Sequence, residues 1–423
     1  MILLPRYLLK RLPDGAPPRR LEVLTGARQV GKTTLARQLY GGRYRYFSLD
    51  SPGERLRLQG VAAEAWGQVV GEAVFDEIQK APQLLEKIKW AYDQREIDFS
   101  VLLGSSRILL LEKVRETLAG RVFLYELWPL TLGELAPFYG GTFAERPLLG
   151  LLLEDLQGGI RWLSGHFTPV GEEVGRIRAA MDHLLTFGGF PTLLEYPPED
   201  RFAWLDAYQS TYLERDLGDL ARLRDLEPFL LCHRLAALRA ARILSYSELA
   251  RDAGLSVMTV KRYLRYLDLS YQIFQLPAWS GNPMVRLIKS PKPIWIDPGL
   301  QRVLSGQLQG LSGQQYENAL IGQILTTLWS QGLKFSASYL RTAGGLEVDL
   351  VLEAPWGIMA MEFKARERVF RRDATPLERS RRIFGNRMRL GLVVYRGEEA
   401  FQMTDLVWAV PDWLLLGWPT EHS

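Results

Sequence analysis

Residues 26–33 read GARQVGKT and lie between an apolar stretch at residues 21–24 and a stretch with helical periodicity at residues 34–40. This segment matches GxxxxGK(S/T), the phosphate-binding loop, in which small residues let the backbone approach an anion closely. Successive backbone N–H groups and the N-terminus of the following helix would bind the phosphates of a nucleoside triphosphate. The pattern predicts these nucleotide-binding residues: Gly26, Ala27, Arg28, Gln29, Val30, Gly31, Lys32, Thr33 and Thr34.

Four side chains are predicted to act on the terminal phosphates. Lys32 would reach those phosphates, and the Thr33 hydroxyl would bind Mg²⁺. Downstream, the sequence VVGEAVFDEIQK at residues 69–80 reads as an apolar strand that ends in Asp76 and Glu77. After a phosphate loop, this pair favours an arrangement in which Asp76 orders the Mg²⁺ shell and Glu77 polarises the attacking water. A solvated strand end is the alternative interpretation.

A further strand, at residues 99–103, precedes Ser105 and Ser106, where a hydroxyl could align water against the γ-phosphate. A helix-like segment then leads to Arg121, at the start of another strand. This order of parts resembles an AAA+ ATPase module, in which an arginine at that point reaches the nucleotide of a neighbouring subunit. The resemblance implies a homo-oligomer, with a hexamer favoured. Alternatively, Arg121 is a cation that complements the dipole at a helix C-terminus.

Length and composition indicate a globular protein of several domains. The 423 residues, 47% of them hydrophobic, predict about two to four domains. The single cysteine, Cys232, excludes an intramolecular disulfide and a cysteine-based zinc cluster, which fits a reducing cytosol. Residues 1–12 lack a signal-peptide pattern, and no apolar run is long enough to cross a membrane. A cytoplasmic protein without a membrane span is therefore expected.

The region at residues 131–235 is rich in helical patterns and contains GGFP at residues 188–191. It reads as a helical lid over the nucleotide. In AAA+ proteins of the origin-recognition and signal-transducing branches, a GxP at this point packs on the nucleotide base. That resemblance places Pro191 beside the base. The YLERD segment at residues 212–216 also resembles family sequence, although a salt-bridged helix face is the favoured explanation.

Residues 245–267, SYSELARDAGLSVMTVKRYLRYL, have the apolar spacing and the turn glycine of a helix-turn-helix. The second helix would expose Lys261, Arg262 and Arg265, and the strands that follow would form a wing. A winged-helix domain is therefore predicted. Such domains either bind DNA or serve as packing modules within ATPases, and both interpretations stay open.

The last third of the chain contains a second set of residues with catalytic chemistry. Asp349 lies in a predicted strand, and Glu362 and Lys364 lie two positions apart on the next strand, so their side chains share one face of the sheet. The set fits the PD-(D/E)xK nuclease pattern, in which carboxylates hold Mg²⁺ or Mn²⁺ and the lysine activates water. Glu317, on a helix-like segment, could add an outer carboxylate to this metal site.

Arginine residues crowd residues 366–389, just beyond this predicted metal site. Arg371 and Arg372 are the candidates for contacts with a phosphate backbone. Charge runs of this kind are also found on solvated helix faces, which is the alternative interpretation.

Together, GARQVGKT, FDEIQKAP, LLGSS, LAGR, GGFP, YLERD, SPKPIWIDPGL, YEN, EVD and EFKA resemble one prokaryotic AAA+ ATPase family. Its members carry a winged helix and a C-terminal PD-(D/E)xK-like domain of unknown function. The resemblance implies an α/β chain with four parts: an AAA+ P-loop core at residues 1–150, a helical lid at 151–235, a winged helix at 236–310 and a restriction-endonuclease-like domain at 311–423.

Two functions follow from this resemblance. The first is an ATP-hydrolysing, Mg²⁺-dependent protein that binds DNA and cuts it with its C-terminal domain, with branched DNA such as a Holliday junction as the first substrate to test. The second is a nucleotide-dependent switch whose nuclease-like domain is inert and binds DNA or a protein. Retention of Asp349, Glu362 and Lys364 favours the first function.

Overall fold

The computed structural model describes residues 3–12, 19–104, 114, 116–165, 170–212, 226–282 and 289–418. Its N-terminal part is a parallel five-stranded sheet with the strand order β2-β3-β4-β1-β5. The strands are β1 (Arg20–Thr25), β2 (Arg45–Ser48), β3 (Ala73–Asp76), β4 (Phe99–Gly104) and β5 (Val122–Glu126). The α/β class predicted for this region is confirmed.

Helices connect these parallel strands, as parallel pairing requires. They are α1 (Lys32–Tyr40), α2 (Pro52–Gly60), α3 (Trp66–Val69) and α4 (Leu84–Asp93). Since β4 lies between β1 and β3, the carboxyl ends of the phosphate-loop strand and the acidic strand flank the carboxyl end of β4. Ser105 and Ser106, predicted at that end, lie outside the described residues.

A helical region follows the first sheet, as the helical patterns at residues 131–235 predicted; its role as a lid stays a prediction. Its helices are α5 (Leu132–Leu135), α6 (Leu148–Glu154), α7 (Leu156–Ser164), α8 (Glu172–Phe187), α9 (Pro198–Tyr212) and α10 (Glu227–Leu238). The leucines of α6 are buried, as expected for a core helix. The domain boundaries predicted after residues 150 and 235 fall inside α6 and α10. Residues 213–216 of YLERD lie outside the described part of the chain.

The predicted helix-turn-helix has its expected elements. Helix α11 (Tyr246–Asp252) is followed by Gly254 in the left-handed region at φ 65° and then by α12 (Val257–Leu269). Ser256 caps α12 by accepting a hydrogen bond from the Thr259 N–H at 3.1 Å. Strands β6 (Ile273–Leu276) and β7 (Lys292–Trp295) pair antiparallel where the sequence predicted a wing, and we refer to this pair as the wing hairpin. Cys232, in α10, is fully buried.

The C-terminal part is a mixed six-stranded sheet with the order β12-β13-β11-β10-β9-β8. Its strands are β8 (Ser336–Arg341), β9 (Glu347–Ala354), β10 (Gly357–Lys364), β11 (Met388–Tyr395), β12 (Phe401–Gln402) and β13 (Val407–Pro411). Helices α14 (Gly313–Gln331), α15 (Thr375–Phe384) and α16 (Asp412–Gly417) accompany it, whereas the preceding helix α13 (Pro298–Ser305) packs against α8, α9 and α10. The arginine-rich segment at 366–389 is only partly helical, since its α-helix is confined to α15.

The wing hairpin is joined to this second sheet. Ala278 forms a parallel bridge with Tyr339 of β8, the Trp279 N–H donates to the Tyr339 carbonyl at 2.6 Å, and the Tyr339 N–H donates to the Pro277 carbonyl at 3.0 Å. The chain after β6 therefore covers the outer edge of β8. Across the described residues, no helix combines the length and the apolar character needed to span a bilayer.

Candidate functional site

The phosphate loop connects β1 to α1 through backbone conformations that favour glycine. Gly26 has φ 146°, and a Cβ atom there would lie 2.1 Å from the Leu127 carbonyl oxygen. Gly31 has φ 95° and caps α1, and Gln29 between them also lies in the left-handed region at φ 62°. These values explain why the two glycines are required and how the loop curves around a small space ahead of α1.

Lys32 and Thr33, at the first turn of α1, aim their side chains in different directions. The Lys32 ammonium donates to the carbonyls of Gly26 at 2.9 Å and Ala27 at 2.6 Å, across the loop. The Thr33 hydroxyl donates to Asp76 Oδ2 at 2.8 Å. The structure therefore joins the phosphate loop to the acid at the end of β3, as a shared magnesium site requires. These hard oxygen donors fit Mg²⁺.

The neighbouring Glu77 has an unusual backbone. It adopts φ 58° and ψ 44°, the left-handed region that is uncommon outside glycine, and its carboxylate accepts a hydrogen bond from the Gln79 amide. This conformation turns the chain sharply after Asp76. Glu77 thereby lines a cavity of about 260 Å³ together with Arg28, Gln29, Gly31, Lys32, Thr33, Thr34, Asp50 and Lys80. The Ala27 and Val30 side chains are buried, so only their backbone can serve a ligand.

A second cavity, of about 290 Å³, adjoins the first and shares Gln29, Gly31 and Thr34 with it. Pro191 of the GGFP segment forms part of its wall, and its packing against a nucleotide base stays a prediction. The other lining residues come from the N-terminal segment, α1 and the lid region: Leu3, Leu4, Arg6, Leu35, Gln38, Leu130, Thr192, Leu194 and Glu195. Mostly apolar walls with a few polar groups are typical of a small-molecule pocket.

Arg6 connects the N-terminal segment to the loop, a role that the sequence did not reveal. Its guanidinium donates to the carbonyls of Val30 at 2.9 Å and Trp128 at 2.5 Å, and it forms an ion pair with Glu134 at 3.3 Å. Only 7% of Arg6 is exposed. An arginine ahead of the phosphate loop is not part of the GxxxxGK(S/T) motif, so no sequence signal pointed to Arg6.

Asp297 fixes the GGFP segment and was also missed. Its Oδ2 accepts from the Gly189 N–H at 2.7 Å, and its Oδ1 accepts from the Leu300 N–H at 2.9 Å, which caps α13. Burial raises the pKa of Asp297 to about 6, against the opposing effect of its backbone hydrogen bonds. Gly188 has φ 84°, and a Cβ there would lie 2.1 Å from the Asp297 carboxylate. The DPG sequence at 297–299, with its capping acid, was the available signal.

Arg121 lies away from the cavity of its own chain. It precedes β5, whereas the phosphate loop follows the neighbouring parallel strand β1. Arg121 and the phosphate loop therefore lie at opposite ends of these two strands. Its guanidinium forms a two-point ion pair with Asp93, at 2.7 and 2.8 Å, and donates to the Ala119 carbonyl at 3.1 Å. A role at the nucleotide of a neighbouring subunit stays a prediction, and the structure supplies an intramolecular partner.

The C-terminal acids form one cluster. The Lys364 ammonium donates to Glu362 Oε2 at 2.8 Å, and Asp349 Oδ2 accepts from the Phe363 N–H at 3.0 Å. Burial, followed by the charge of Asp349, raises the pKa of Glu317 to about 7 and that of Glu362 to about 8. Burial also raises the pKa of Asp349. The structure therefore brings together the four residues that the sequence predicted.

The sequence did not reveal a fifth member of the cluster, Lys292 of β7. Its ammonium lies 2.9 Å from Glu317 Oε1 and 2.9 Å from Glu347 Oε1. Within the described residues, no group of three or more His, Cys, Asp or Glu side chains is arranged to hold a metal ion. One oxygen of each of Glu317, Asp349 and Glu362 already accepts from an ammonium or N–H group, so these three oxygens would have to be released before they could bind a divalent cation. A lone lysine in the apolar KPIW segment was the only signal.

The predicted DNA-contacting residues are exposed in both domains. Lys261, Arg262 and Arg265 lie on the solvent side of α12. Arg371 and Arg372 lie on a 3-10 turn before α15, in a segment where other arginines are also exposed: Arg366, Arg368, Arg379, Arg381, Arg382, Arg387 and Arg389.

Three family models match consecutive parts of the chain. Residues 18–136 match the model described as "AAA domain", residues 178–311 match a domain of unknown function (DUF8612), and residues 312–415 match another (DUF4143). The first match covers the parallel sheet and its phosphate loop. It indicates an AAA-type nucleotide-binding module in the N-terminal region.

Two curated proteins are similar in sequence to almost the whole chain. The uncharacterized proteins Rv2008c of Mycobacterium tuberculosis and Mb2031c of Mycobacterium bovis are each 29% identical over 415 residues, covering 95% of this chain and 82% of theirs. Among solved structures, the Aeropyrum pernix ORC1 protein in complex with DNA aligns with 14% identity and a TM-score of 0.30, over 71% of this chain and 88% of that one. Protein VC1899 from Vibrio cholerae aligns with 11% identity and a TM-score of 0.19, over 93% and 94%.

Proposed function

We propose that the chain is a Mg²⁺-dependent ATPase that works as a nucleotide-controlled switch and binds DNA. The observation that most directly supports this proposal is the hydrogen bond from the Thr33 hydroxyl to Asp76 Oδ2, at 2.8 Å. It lies beside a cavity that Lys32 and Glu77 also line. This contact supports the proposal, because the side chains that would bind a triphosphate, hold its magnesium ion and activate water lie around the same cavity.

Each residue has a defined role in this proposal. The N–H groups of the loop and of the first turn of α1 bind the phosphates, and Lys32 leaves its carbonyl partners to neutralise the terminal ones. Thr33 and Asp76 hold Mg²⁺, which supplies charge stabilisation when bound. Glu77 orients and polarises the attacking water. Pro191 packs against the base in the adjoining cavity.

The lid gives the switch a route to the rest of the chain. Asp297 holds the lid glycine Gly189 and the first turn of α13 at once, so a movement of Pro191 on nucleotide binding would be transmitted to α13. The exposed cations of α12 and of the arginine-rich segment support DNA as the partner, because phosphate contacts need accessible positive charge.

The direct test measures nucleotide binding with a fluorescent ATP analogue, and hydrolysis by phosphate release, in three proteins. Lys32→Ala should lose nucleotide binding, whereas Glu77→Gln should bind as tightly as the wild type and hydrolyse about 10²–10⁴ times more slowly. Equal hydrolysis by Glu77→Gln and the wild type would refute the role of Glu77. A nucleotide-dependent change in DNA affinity, measured by anisotropy, tests the switch.

A metal-dependent nuclease is the second candidate, favoured by the proximity of Asp349, Glu362 and Lys364. Purified protein would be incubated with linear, forked and four-way DNA in Mg²⁺ or Mn²⁺, beside Asp349→Ala. Cleavage that Asp349→Ala abolishes would establish the nuclease, and uncut DNA under both metals would support the switch.

Negative-stain images with and without a slowly hydrolysed ATP analogue test the expected hexamer.

A further inference from the structure

Lys292 carries a charge into a place where a charged side chain is rarely found. The residue is 1% exposed, and β7 delivers it from the wing hairpin to the C-terminal sheet. Its ammonium lies 2.9 Å from one oxygen of Glu317 and 2.9 Å from one oxygen of Glu347, and 5.3 Å from the centre of the Tyr339 ring. Two of its three N–H donors therefore have carboxylate partners, and the cation also faces an aromatic ring.

The surrounding charges make a cation necessary at this point. Glu317 is 20% exposed, and the charge of Asp349 acts on both Glu317 and Lys292. Lys364 is engaged with Glu362 at 2.8 Å, so Lys292 is the cation that contacts Glu317 and Glu347. Buried carboxylates that lose their counter-charge are strongly destabilising.

We infer that the Lys292 ammonium, and not a divalent metal ion, is the resident cation of the C-terminal carboxylate cluster. The cluster is an ionic joint that fastens the wing hairpin to the C-terminal domain through Glu317 of α14 and Glu347 of β9. At this position lysine and metal exclude each other, because both would bind the same two oxygens, Glu317 Oε1 and Glu347 Oε1.

The distances explain this exclusion. A Mg²⁺ or Mn²⁺ ion in the place of the nitrogen would need oxygen ligands at about 2.0–2.2 Å, so each carboxylate would have to move inward by roughly 0.7–0.9 Å. The two glutamates are long enough to do so, and Glu347 is 39% exposed, which leaves an approach from solvent. With the ammonium in place, no room remains for the ion. This inference concerns the C-terminal cluster alone and does not rest on the proposed ATPase activity.

Manganese binding tests the inference directly. Nucleotide-free wild type, Lys292→Met, Lys292→Met/Glu317→Gln and the control Lys289→Met would be titrated with Mn²⁺ and followed by calorimetry. Lys289 is an exposed lysine three residues earlier in the same segment. We expect no Glu317-dependent site in the wild type or the control, one such site in Lys292→Met, and its loss in the double variant.

Thermal melting supplies a readout that needs no metal. Lys292→Met should melt below the wild type, Mn²⁺ should return part of the loss, and the double variant should melt above Lys292→Met because one unpaired carboxylate is gone. Lys289→Met should melt with the wild type. If the losses in melting temperature of Lys292→Met and of the single variant Glu317→Gln simply add in the double variant, Lys292 and Glu317 do not act as a pair and the inference is wrong.

Two further results would overturn the inference. One is a manganese site in the wild type that Glu317→Gln removes, which would show that the lysine does not exclude the metal. The other is a folded Lys292→Met protein, by circular dichroism, that gains no site. If Lys292→Met does not fold, the wild-type titration beside Glu317→Gln still decides, since the inference requires the wild type to lack such a site.

Discussion

The Asp297 carboxylate accepts a hydrogen bond from the Gly189 N–H at 2.7 Å, across 108 positions of the chain. The contact is buried, and the other oxygen of the same carboxylate caps α13. One side chain therefore fixes both the GGFP segment, whose Pro191 lines a cavity beside the phosphate loop, and the helix α13.

The free energy of unfolding should depend on pH through Asp297, because burial of this carboxyl group disfavours its ionised form. The pKa of Asp297 is about 6 in the folded chain against an ordinary value of 3.8, so the folded state favours the protonated form. The protonated carboxyl group therefore stabilises the fold fully below about pH 4. This stabilisation, about 3 kcal/mol in total, is lost as the pH rises through 6. Asp297→Asn cannot ionise, so its urea midpoint should fall less than that of the wild type between pH 4 and 7.5. Parallel pH curves for the two proteins would contradict this assignment.

Gly26→Ala should abolish nucleotide binding. The added methyl group would meet the Leu127 carbonyl oxygen at 2.1 Å, on a backbone with φ 146°. The loop must then shift, so we expect more than a tenfold loss of affinity for a fluorescent ATP analogue. Gly175→Ala is the matched control: it lies within α8 with no atom within 4 Å of the new methyl group, and should raise stability by about 0.5–1 kcal/mol. Normal affinity in Gly26→Ala would show that the loop does not bind the phosphates.

Substitutions at Arg121 and Asp93 distinguish two roles for Arg121: catalysis at the nucleotide of a neighbouring subunit, and a structural ion pair with Asp93. Arg121→Ala should lower ATP hydrolysis by a factor on the order of 10³ if the arginine acts on a neighbouring nucleotide. Asp93→Asn removes the partner but leaves the arginine, so it should retain hydrolysis. An exposed pair of this kind contributes at most about 1 kcal/mol to folding. Equal losses in both variants, measured by phosphate release, would assign the pair a structural role.

The exposed arginines before α15 should contribute to DNA affinity through phosphate contacts. Each arginine that neutralises one phosphate should reduce the slope of log affinity against log salt by about 0.9 when it is replaced. The slope should therefore fall by about 1.8 in Arg371→Ala/Arg372→Ala, measured by anisotropy. Arg161→Ala is the control, because Arg161 is 74% exposed on α7 in another part of the chain. An unchanged slope in the double variant would exclude these two residues from the interface.

The features that the sequence predicted are local ones. GARQVGKT carries its own geometry, since its two glycines and the helix that starts at Lys32 follow within eight residues. The Gly254 turn and the strands with Asp349 and Glu362 are likewise written in short patterns of hydrophobicity and turn residues. These elements formed where they were expected.

The missing features depend on contacts between distant positions. The Asp297 carboxylate accepts from the Gly189 N–H, and the Lys292 ammonium pairs with Glu347, through tertiary packing that no short sequence pattern specifies. A buried lysine on an apolar strand looks the same in sequence as an exposed one at a strand edge. The position of Arg121 relative to its own cavity also required the strand order, which no local pattern specifies.

The bond between Trp279 and Tyr339 has a practical consequence. Strand β8 lies at the margin of its sheet, where unpaired N–H and carbonyl groups invite pairing with foreign chains. Residues 277–279 shield that margin with their own backbone. A fragment cut at residue 312 would bare it, and such a fragment should aggregate unless the preceding hairpin is kept in the expressed piece.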